Sequence, residues 1–486
     1  MAKDVRKNYI YNLIYQVLTL LLPLVTTPYL SRVLQADGVG LVSYTDSVVS
    51  YFTMVAAMGI ATYGQREISY VQNDVEARSH AFWETQLLKF ITSFGTLLLY
   101  IPFVFFVAEK ENFYLYALLS FQFLSVALNI AWFFQGIEEF GKIIARDIII
   151  KILLLVSMFV FVKQKDDLLL YLFIYCMSGI LCGVTLWGYL PKYVKKVPFK
   201  SLRPFRNIKT ILTLFIPTIA IQISTSLDKT MIGLITDSAY ENGCYEQATK
   251  IIKMVLAVVT ALGTVMIPRI GHYYEKGEIA TVRDWMYRSY RFVWILAIPM
   301  CIGLFFVSRS FVPWFFGEGY DGVVPLLQIL SLLLVAIGVN NVTGMQYLIP
   351  TKRENVYTLT VVIGAIVNIV LNLFLVYFFR SIGAAIASVI AESVIAVIQL
   401  IVVRKELSVL TILKSSVKYI IAGMIMGVAL FFETMLFPPS IWYTALMVVS
   451  GAGVYFVALL LLRDRFLISN LKEIVNRFVK RPKSKE

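Results

Sequence analysis

Blocks of about twenty apolar residues follow one another along the whole chain, separated by short segments that contain charged and turn residues. A helix of this length crosses a hydrocarbon layer ~30 Å thick. Of the 486 residues, 59% are hydrophobic and only 15% are charged, whereas a soluble protein carries roughly a quarter charged residues. The sequence therefore predicts an all-α, polytopic membrane protein. It excludes a secreted enzyme, a nucleic-acid-binding factor and a disordered scaffold.

The apolar runs, bounded by charges or turn residues, predict about fourteen transmembrane helices. Their approximate ranges are 9–30, 41–63, 83–107, 113–135, 147–162, 168–190, 210–235, 247–268, 289–308, 323–349, 355–377, 383–403, 417–437 and 441–462.

Basic residues are distributed very unevenly between the two sides of these helices. With the N-terminus in the cytoplasm, the cytoplasmic segments hold 32 Lys and Arg residues, including Arg291 at the inner end of the ninth span, and the outer loops hold 6. Such an excess is typical of cytoplasmic loops. It predicts a multi-pass protein of a bacterial cytoplasmic membrane with both termini in the cytoplasm. The net charge of +14 then reflects orientation and headgroup contacts, and no nucleic-acid partner is expected.

A basic connector at residues 191–209 divides the predicted helices into two groups. It carries seven basic residues and three prolines. We predict an N-terminal six-helix lobe at 1–190, a second six-helix lobe at 210–403, a final helix pair at 404–462 and a basic tail at 463–486. Two lobes of equal helix number are typical of transporters built from repeats.

The loops contain no motif for catalysis. The chain has no phosphate-binding GK[ST] loop and no nucleophile elbow, so ATP hydrolysis and serine hydrolase chemistry are not expected. Its four cysteines and two histidines do not form a metal-binding pattern, and we expect neither a metal nor another cofactor. A sizeable outer loop with catalytic carboxylates, which a membrane polymerase would need, is also missing. The sequence predicts a non-enzyme that moves a substrate across the membrane.

Ionisable residues inside predicted spans are costly and mark functional sites or structural partners. For Lys89, and for Asp147 with Lys151, we favour snorkelling or a local ion pair. Four other basic residues gather at similar depth near the outer side, and we predict that they bind an anionic substrate: Arg32, Lys229, Lys250 and Lys253. The alternative is that the lysines only extend toward the interface while Asp228 pairs locally.

Acidic residues accompany this basic group. Asp46 and Asp228 lie near the same outer boundary, and Glu246 shares one helical face with Lys250 and Lys253. We predict that Asp46 and Asp228 bind a coupling ion, H⁺ or Na⁺. Glu392, near the middle of the twelfth span, is either a third coupling residue or a structural hydrogen-bond partner.

Three segments resemble the Wzx-type polysaccharide flippases of the multidrug/oligosaccharidyl-lipid/polysaccharide exporter superfamily. PYLSRVLQADGVGLVSYTDSVVSYF, residues 28–52, is similar to their first two spans. FIPTIAIQISTSLDKTMIGLI resembles their seventh span, and GCYEQATKIIKMVLAVVTALGTVMIPRI their eighth. The resemblance, together with fourteen spans arranged as six, six and two, covers most of the chain.

This resemblance implies a flippase that moves an undecaprenyl-diphosphate-linked oligosaccharide repeat unit from the inner to the outer leaflet. Alternating access driven by an ion gradient is expected, with the basic residues meeting the diphosphate and the polyprenyl tail remaining in membrane lipid. A polysaccharide polymerase and glycosyltransferases are implied partners, for O-antigen or capsule synthesis. Four alternatives remain: a lipid II flippase, a drug or organic-cation antiporter, a membrane-embedded polymerase and a purely structural membrane protein.

Overall fold

The computed structural model describes residues 5–107, 110–436, 438–464 and 466–469. Within these residues all regular secondary structure is helical. They form two compact units, Met1–Glu246 and Gln247–Glu486. Most of the predicted tail at 463–486 lies outside the described residues, and so does residue 437 at the end of one predicted span. The lobe boundaries predicted at the basic connector stay predictions.

Among the described residues, the first unit contains nine α-helices and the beginning of a tenth. They are α1 (Val5–Ala57), α2 (Ile60–Tyr70), α3 (Val75–Phe106), α4 (Phe113–Leu119), α5 (Phe121–Leu128), α6 (Ala131–Gly136), α7 (Phe140–Phe161), α8 (Leu168–Val184), α9 (Ile208–Thr236) and the first turns of α10 (Ala239–Thr260).

The second unit contains the remainder of α10 and the helices that follow it. They are α11 (Gly263–Glu275), α12 (Ile279–Phe316), α13 (Val323–Leu330), α14 (Leu333–Asn340), α15 (Glu354–Val403), α16 (Val409–Glu433) and α17 (Ile441–Leu461). A π-helical stretch, Asn341–Leu348, continues directly from α14.

Ten helical segments among the described residues are long and apolar enough to cross a membrane. The longest, Glu354–Val403, has 50 residues, about 75 Å of helix, more than twice the ~30 Å of a hydrocarbon core. It bends at Arg380, where φ is 52°. Large apolar side chains cover much of the outer surface; Phe106, for example, is 87% exposed. The chain is an all-α, multi-pass membrane protein, which confirms the predicted fold class.

The first predicted span and most of the second lie on one helical segment, α1; the second span ends in α2. The backbone of α1 leaves the helical conformation at Gln35, with φ of 58° and ψ of 175°, between the two apolar blocks. A positive φ is unfavourable for a residue with a Cβ atom. Contacts with the rest of the protein must therefore stabilise the bend. One such contact lies just after it, where Gly40 packs closely against Ala239.

The fourth predicted span is broken into α4, α5 and α6, and polar side chains satisfy the carbonyl groups freed at the break. Gln86 donates to the carbonyl oxygen of Ala127 at 2.7 Å, and Lys89 donates to that of Asn129 at 2.6 Å. Unpaired backbone groups are costly in a membrane. Lys89 is only 4% exposed, so its ammonium binds a backbone carbonyl group inside the protein and does not extend to the interface, as snorkelling would require.

The connector after α8 is fixed along α3 by hydrogen bonds. The guanidinium of Arg78 donates to the carbonyl oxygen of Tyr193 at 2.7 and 3.1 Å, and the Trp83 indole donates to that of Lys195 at 3.1 Å. The Lys195 N–H donates to the Ser79 hydroxyl at 2.9 Å. Because backbone groups supply most of these bonds, the connector follows a defined path.

Candidate functional site

A tight turn joins α9 to α10 and sets which of their residues face each other. Asp237 ends α9 in the left-handed conformation, with φ of 48°, and α10 begins at Ala239. Lys229 and Glu246 each lie seven residues from the helix end that borders the turn. Their side chains form an ion pair, with 18% and 14% of the side-chain surface exposed.

Three carboxylates act on the Lys229 ammonium: those of Glu246, Asp46 and Asp228. We call these four residues the charged cluster. Asp46 lies on α1, the other three on α9 and α10, and all belong to the first unit. Within the cluster the acids outnumber the base by three to one.

Neighbouring side chains orient each carboxylate of the charged cluster. The Tyr245 hydroxyl donates to Asp228 at 2.5 Å, the Gln122 amide donates to Asp46 at 2.6 Å, and the Ser43 hydroxyl donates to Glu246 at 3.1 Å. Hydrogen bonds of this kind fix the position of a carboxylate. The acids are therefore held in place before any ligand arrives.

A row of hydroxyl groups joins α1 to α9 beside the charged cluster. Ser47 and Thr230 lie 2.8 Å apart, and the Ser50 hydroxyl donates to that of Ser226 at 3.1 Å. The Tyr51 hydroxyl lies 3.2 Å from that of Thr230. These residues recur at helical spacing, so each helix presents one polar stripe to the other. Small hydroxyl side chains are typical of close helix contacts in membranes.

The bend in α1 touches the beginning of α10 backbone to backbone. A Cβ atom on Gly40 would overlap the carbonyl oxygen of Ala239, and one on Gly243 would overlap that of Ala36. Only glycine permits such an approach. This contact fixes the distance between Asp46, six residues after Gly40, and the helix that carries Glu246.

The other basic residues predicted to bind substrate lie on the same helices, α1 and α10. Arg32 is exposed on α1, three residues before its bend at Gln35. Lys250 and Lys253 follow Glu246 on α10 and belong to the second unit; Lys250 is partly buried and Lys253 is exposed. The structure thus groups Lys229, Asp46 and Asp228. Substrate binding by the four basic residues and ion coupling by Asp46 and Asp228 stay predictions.

Glu392 lies in the second unit, on α15, and has a hydrogen-bond partner. The Asn340 amide donates to its carboxylate at 2.6 Å and to its backbone carbonyl oxygen at 3.1 Å. Asn340 ends α14 where the π-helical stretch begins, and π-helical turns are frequent at functional sites. Both interpretations of Glu392, coupling residue and structural partner, are compatible with this contact.

Sequence reasoning did not identify Glu246 as the partner of Lys229, nor Gln122 and Tyr245 as partners of the acids. One signal was present for Glu246. The stretch TDS, residues 236–238, is too short for anything but a tight helical hairpin. Residues equidistant from such a turn meet across it. No comparable signal relates Gln122 to Asp46, because that contact depends on how α1 packs on α5.

Long apolar helices that carry buried charged side chains define a multi-pass membrane protein. The sequence profile of one family, described as polysaccharide biosynthesis protein, matches residues 5–274, more than half of the chain. The chain belongs to this family, which confirms the resemblance seen in the three sequence segments.

Two bacterial relatives match most of the chain. A protein named as an O-antigen transporter from Escherichia coli (strain K12) is 22% identical over 409 residues, which is 83% of this chain and 97% of the relative. One with the same name from Shigella dysenteriae is 21% identical and covers 79% of this chain and 96% of the relative. Both are named as transporters rather than enzymes, in agreement with the predicted non-enzymatic role.

Solved structures share the fold. The lipid II flippase MurJ in its inward closed conformation superposes with a TM-score of 0.71, covering 94% of this chain and 99% of that chain at 17% identity. An inward-facing multidrug resistance MATE family transporter of the MOP superfamily gives a TM-score of 0.62, covering 78% of this chain and 94% of that chain at 14% identity.

Proposed function

We propose that this protein is a flippase that moves an undecaprenyl-diphosphate-linked oligosaccharide repeat unit from the inner to the outer leaflet of a bacterial cytoplasmic membrane. Three findings support the proposal: membership of the polysaccharide biosynthesis protein family, relatives named as O-antigen transporters, and the fold shared with MurJ over nearly the whole chain. Both termini lie in the cytoplasm in this proposal, in accordance with the distribution of basic residues.

The observation that carries the proposal is the Lys229 ammonium inside membrane-spanning helices, held by Glu246 within a cluster of carboxylates. An ammonium is a compact point charge that binds phosphate without the fixed two-point geometry of a guanidinium. A diphosphate could therefore replace Glu246 as the partner of Lys229 and leave again. Arg32, Lys250 and Lys253 would add positive charge along its path.

Ion coupling is part of the same proposal, since the chain has no motif for ATP hydrolysis. When H⁺ or Na⁺ neutralises Asp46 or Asp228, the electrostatic hold on Lys229 changes. Ion occupancy and substrate affinity are then linked thermodynamically, each altering the other by the same factor. Glu392 is assigned as a third coupling residue in the second unit. The two units would open alternately to the two sides of the membrane.

A second candidate function is favoured by the carboxylates of the cluster. Those of Glu246, Asp46 and Asp228 already act on one ammonium, that of Lys229, and carboxylates also suit an organic cation. A drug or organic-cation antiporter with the fold of the MATE transporter is therefore the alternative. A lipid II flippase is a nearer variant of the main proposal, because it differs only in the cargo attached to the diphosphate.

The test is a deletion strain without a redundant flippase, analysed for surface polysaccharide and for lipid-linked repeat units. We expect surface polysaccharide to disappear and complete repeat units to accumulate on the cytoplasmic leaflet, with the polymerase and glycosyltransferases still present. Restoration by the intact gene is the control. Normal surface polysaccharide in the deletion strain would refute the proposal and favour the antiporter.

A further inference from the structure

A cavity of about 720 Å³ lies in the first unit, away from the charged cluster. It is lined by α2, by α3, and by the end of the connector with the first turn of α9. A volume of this size is typical of sites for small molecules and headgroups.

One helical face of each helix lines the cavity. Tyr63, Arg66 and Glu67 line it from α2, and the α3 residues that line it include Ala77, His80 and Glu84. Their spacings of three and four residues place each set on a single face. Two helices thus form rigid walls.

The third wall is held in place by two hydrogen bonds to these helices. The Asn207 amide donates to the Tyr63 hydroxyl at 2.5 Å, and the N–H of Arg203 donates to the Glu84 carboxylate at 3.0 Å. Tyr63 is only 6% exposed. The cavity is therefore formed before a ligand binds, and one of its two carboxylates is already engaged by backbone.

Positive charge dominates the lining. The four Lys and Arg residues outnumber the two acids, Glu67 and Glu84; they are Arg66, Lys200, Arg203 and Arg206. In the part of the chain that the structure describes, Arg66, Lys200 and Arg206 form no ion pair. Guanidinium groups bind phosphate oxygens in pairs of parallel hydrogen bonds. The lining therefore suits a phosphate or diphosphate group.

Two aromatic side chains of the connector indicate where that phosphate comes from. Phe199 and Phe205 are 73% and 56% exposed, on either side of basic residues that line the cavity. Apolar aromatic side chains alternating with Lys and Arg are typical of segments that lie in the membrane interface. The cavity would then open at the depth of lipid headgroups.

We propose that this cavity is a second binding site, for the phosphate or diphosphate headgroup of a membrane lipid. Assigning the transported lipid's own diphosphate as the ligand rests on the proposed flippase function. In that case the cavity captures the cargo before it reaches the charged cluster. Binding of a phosphorylated lipid as such does not depend on that function.

The test measures lipid binding to the purified full-length protein in detergent, by native mass spectrometry and thermophoresis. The probes are undecaprenyl diphosphate, phosphatidylglycerol and inorganic pyrophosphate. We expect the double variant Arg66→Gln with Arg206→Gln to weaken lipid binding by about tenfold or more. The exposed pair Lys195→Gln with Lys196→Gln removes the same charge from the connector outside the cavity, and should weaken binding much less.

Lys200→Gln, an exposed change that disturbs no packing, is the second variant if the double variant does not fold. Tighter binding of undecaprenyl diphosphate than phosphatidylglycerol supports cargo capture, and equal binding of both lipids supports a general anionic-lipid site. The proposal is overturned if the cavity variant and the control variant weaken lipid binding equally. It is also overturned if pyrophosphate binds as tightly as the lipids. Normal surface polysaccharide in the deletion strain would refute the flippase function alone and leave these binding results unaffected.

Discussion

The Lys229 ammonium and the Glu246 carboxylate are ion-paired with less than a fifth of either side chain exposed. Removing one partner of a buried pair leaves the other charge uncompensated, which costs more than the pair itself contributes. The pair is therefore a sensitive point in the first unit, and a substrate that binds Lys229 must first compete with Glu246.

Lys229→Ala removes the ammonium that offsets three carboxylates. We expect export of the repeat unit to fall by about tenfold or more, equivalent to ~1.4 kcal/mol in the transport barrier. The measurement is surface polysaccharide per unit of membrane-inserted protein. Lys165→Ala is the control, because Lys165 pairs with Asp37 at 3.6 Å where both are about half exposed. Unchanged export in Lys229→Ala at normal protein levels would reduce Lys229 to a structural role.

Lys250→Ala combined with Lys253→Ala is expected to abolish export while the protein stays in the membrane. The two side chains lie on one face of α10, one and two turns beyond Glu246, where they would attract the diphosphate. The matched control is Lys352→Ala, whose exposed pair with Glu275 spans 3.5 Å. If the double variant exports normally, these lysines only reach toward the membrane interface.

Asp46→Asn tests ion coupling with little change in shape. The side-chain oxygen of Asn can still accept the hydrogen bond from Gln122, so the fold should persist while the charge is lost. The measurement is the flux of labelled lipid-linked substrate in proteoliposomes. We expect the flux through the wild-type protein to rise with an imposed H⁺ or Na⁺ gradient and the flux through the variant to be independent of that gradient. Equal gradient dependence in both proteins would remove Asp46 from the coupling mechanism.

Glu392→Gln separates the two interpretations of Glu392. The Gln side chain can still accept the hydrogen bond from Asn340, so we expect normal protein amounts and an unchanged melting temperature. Loss of the charge should nevertheless reduce gradient-driven export by about tenfold, ~1.4 kcal/mol. Glu392→Leu, which cannot accept the bond, is the comparison. Full export by the Gln variant would assign Glu392 a structural role only.

Gly40→Ala introduces a methyl group where the carbonyl oxygen of Ala239 already lies. Overpacking of this kind costs about 1–3 kcal/mol, and backbone cannot move aside as a side chain can. We expect a lower melting temperature of the purified protein and reduced export. Gly95→Ala on α3 is the control, since nothing lies within 4 Å of the added atom. Equal melting temperatures for both variants would contradict the close contact.

The helical segments could be predicted from sequence because hydrophobic length and loop charge are local properties. The break between α5 and α6 could not, since it depends on Gln86 and Lys89 reaching carbonyl groups of a distant segment. The same distinction applies to the charged cluster. Asp228 and Lys229 are visible as charges inside an apolar run, but their partners on α10 follow from the turn at Asp237.

The contact of Gly40 with Ala239 has a further consequence for the proposed cargo. Where two backbones touch, no gap remains for an acyl or prenyl chain to slip sideways between the bend of α1 and the beginning of α10. A lipid whose headgroup reaches Lys229 must therefore keep its tail outside the contact between α1 and α10. Its path between leaflets has to run along a different pair of helices, one whose side chains can part.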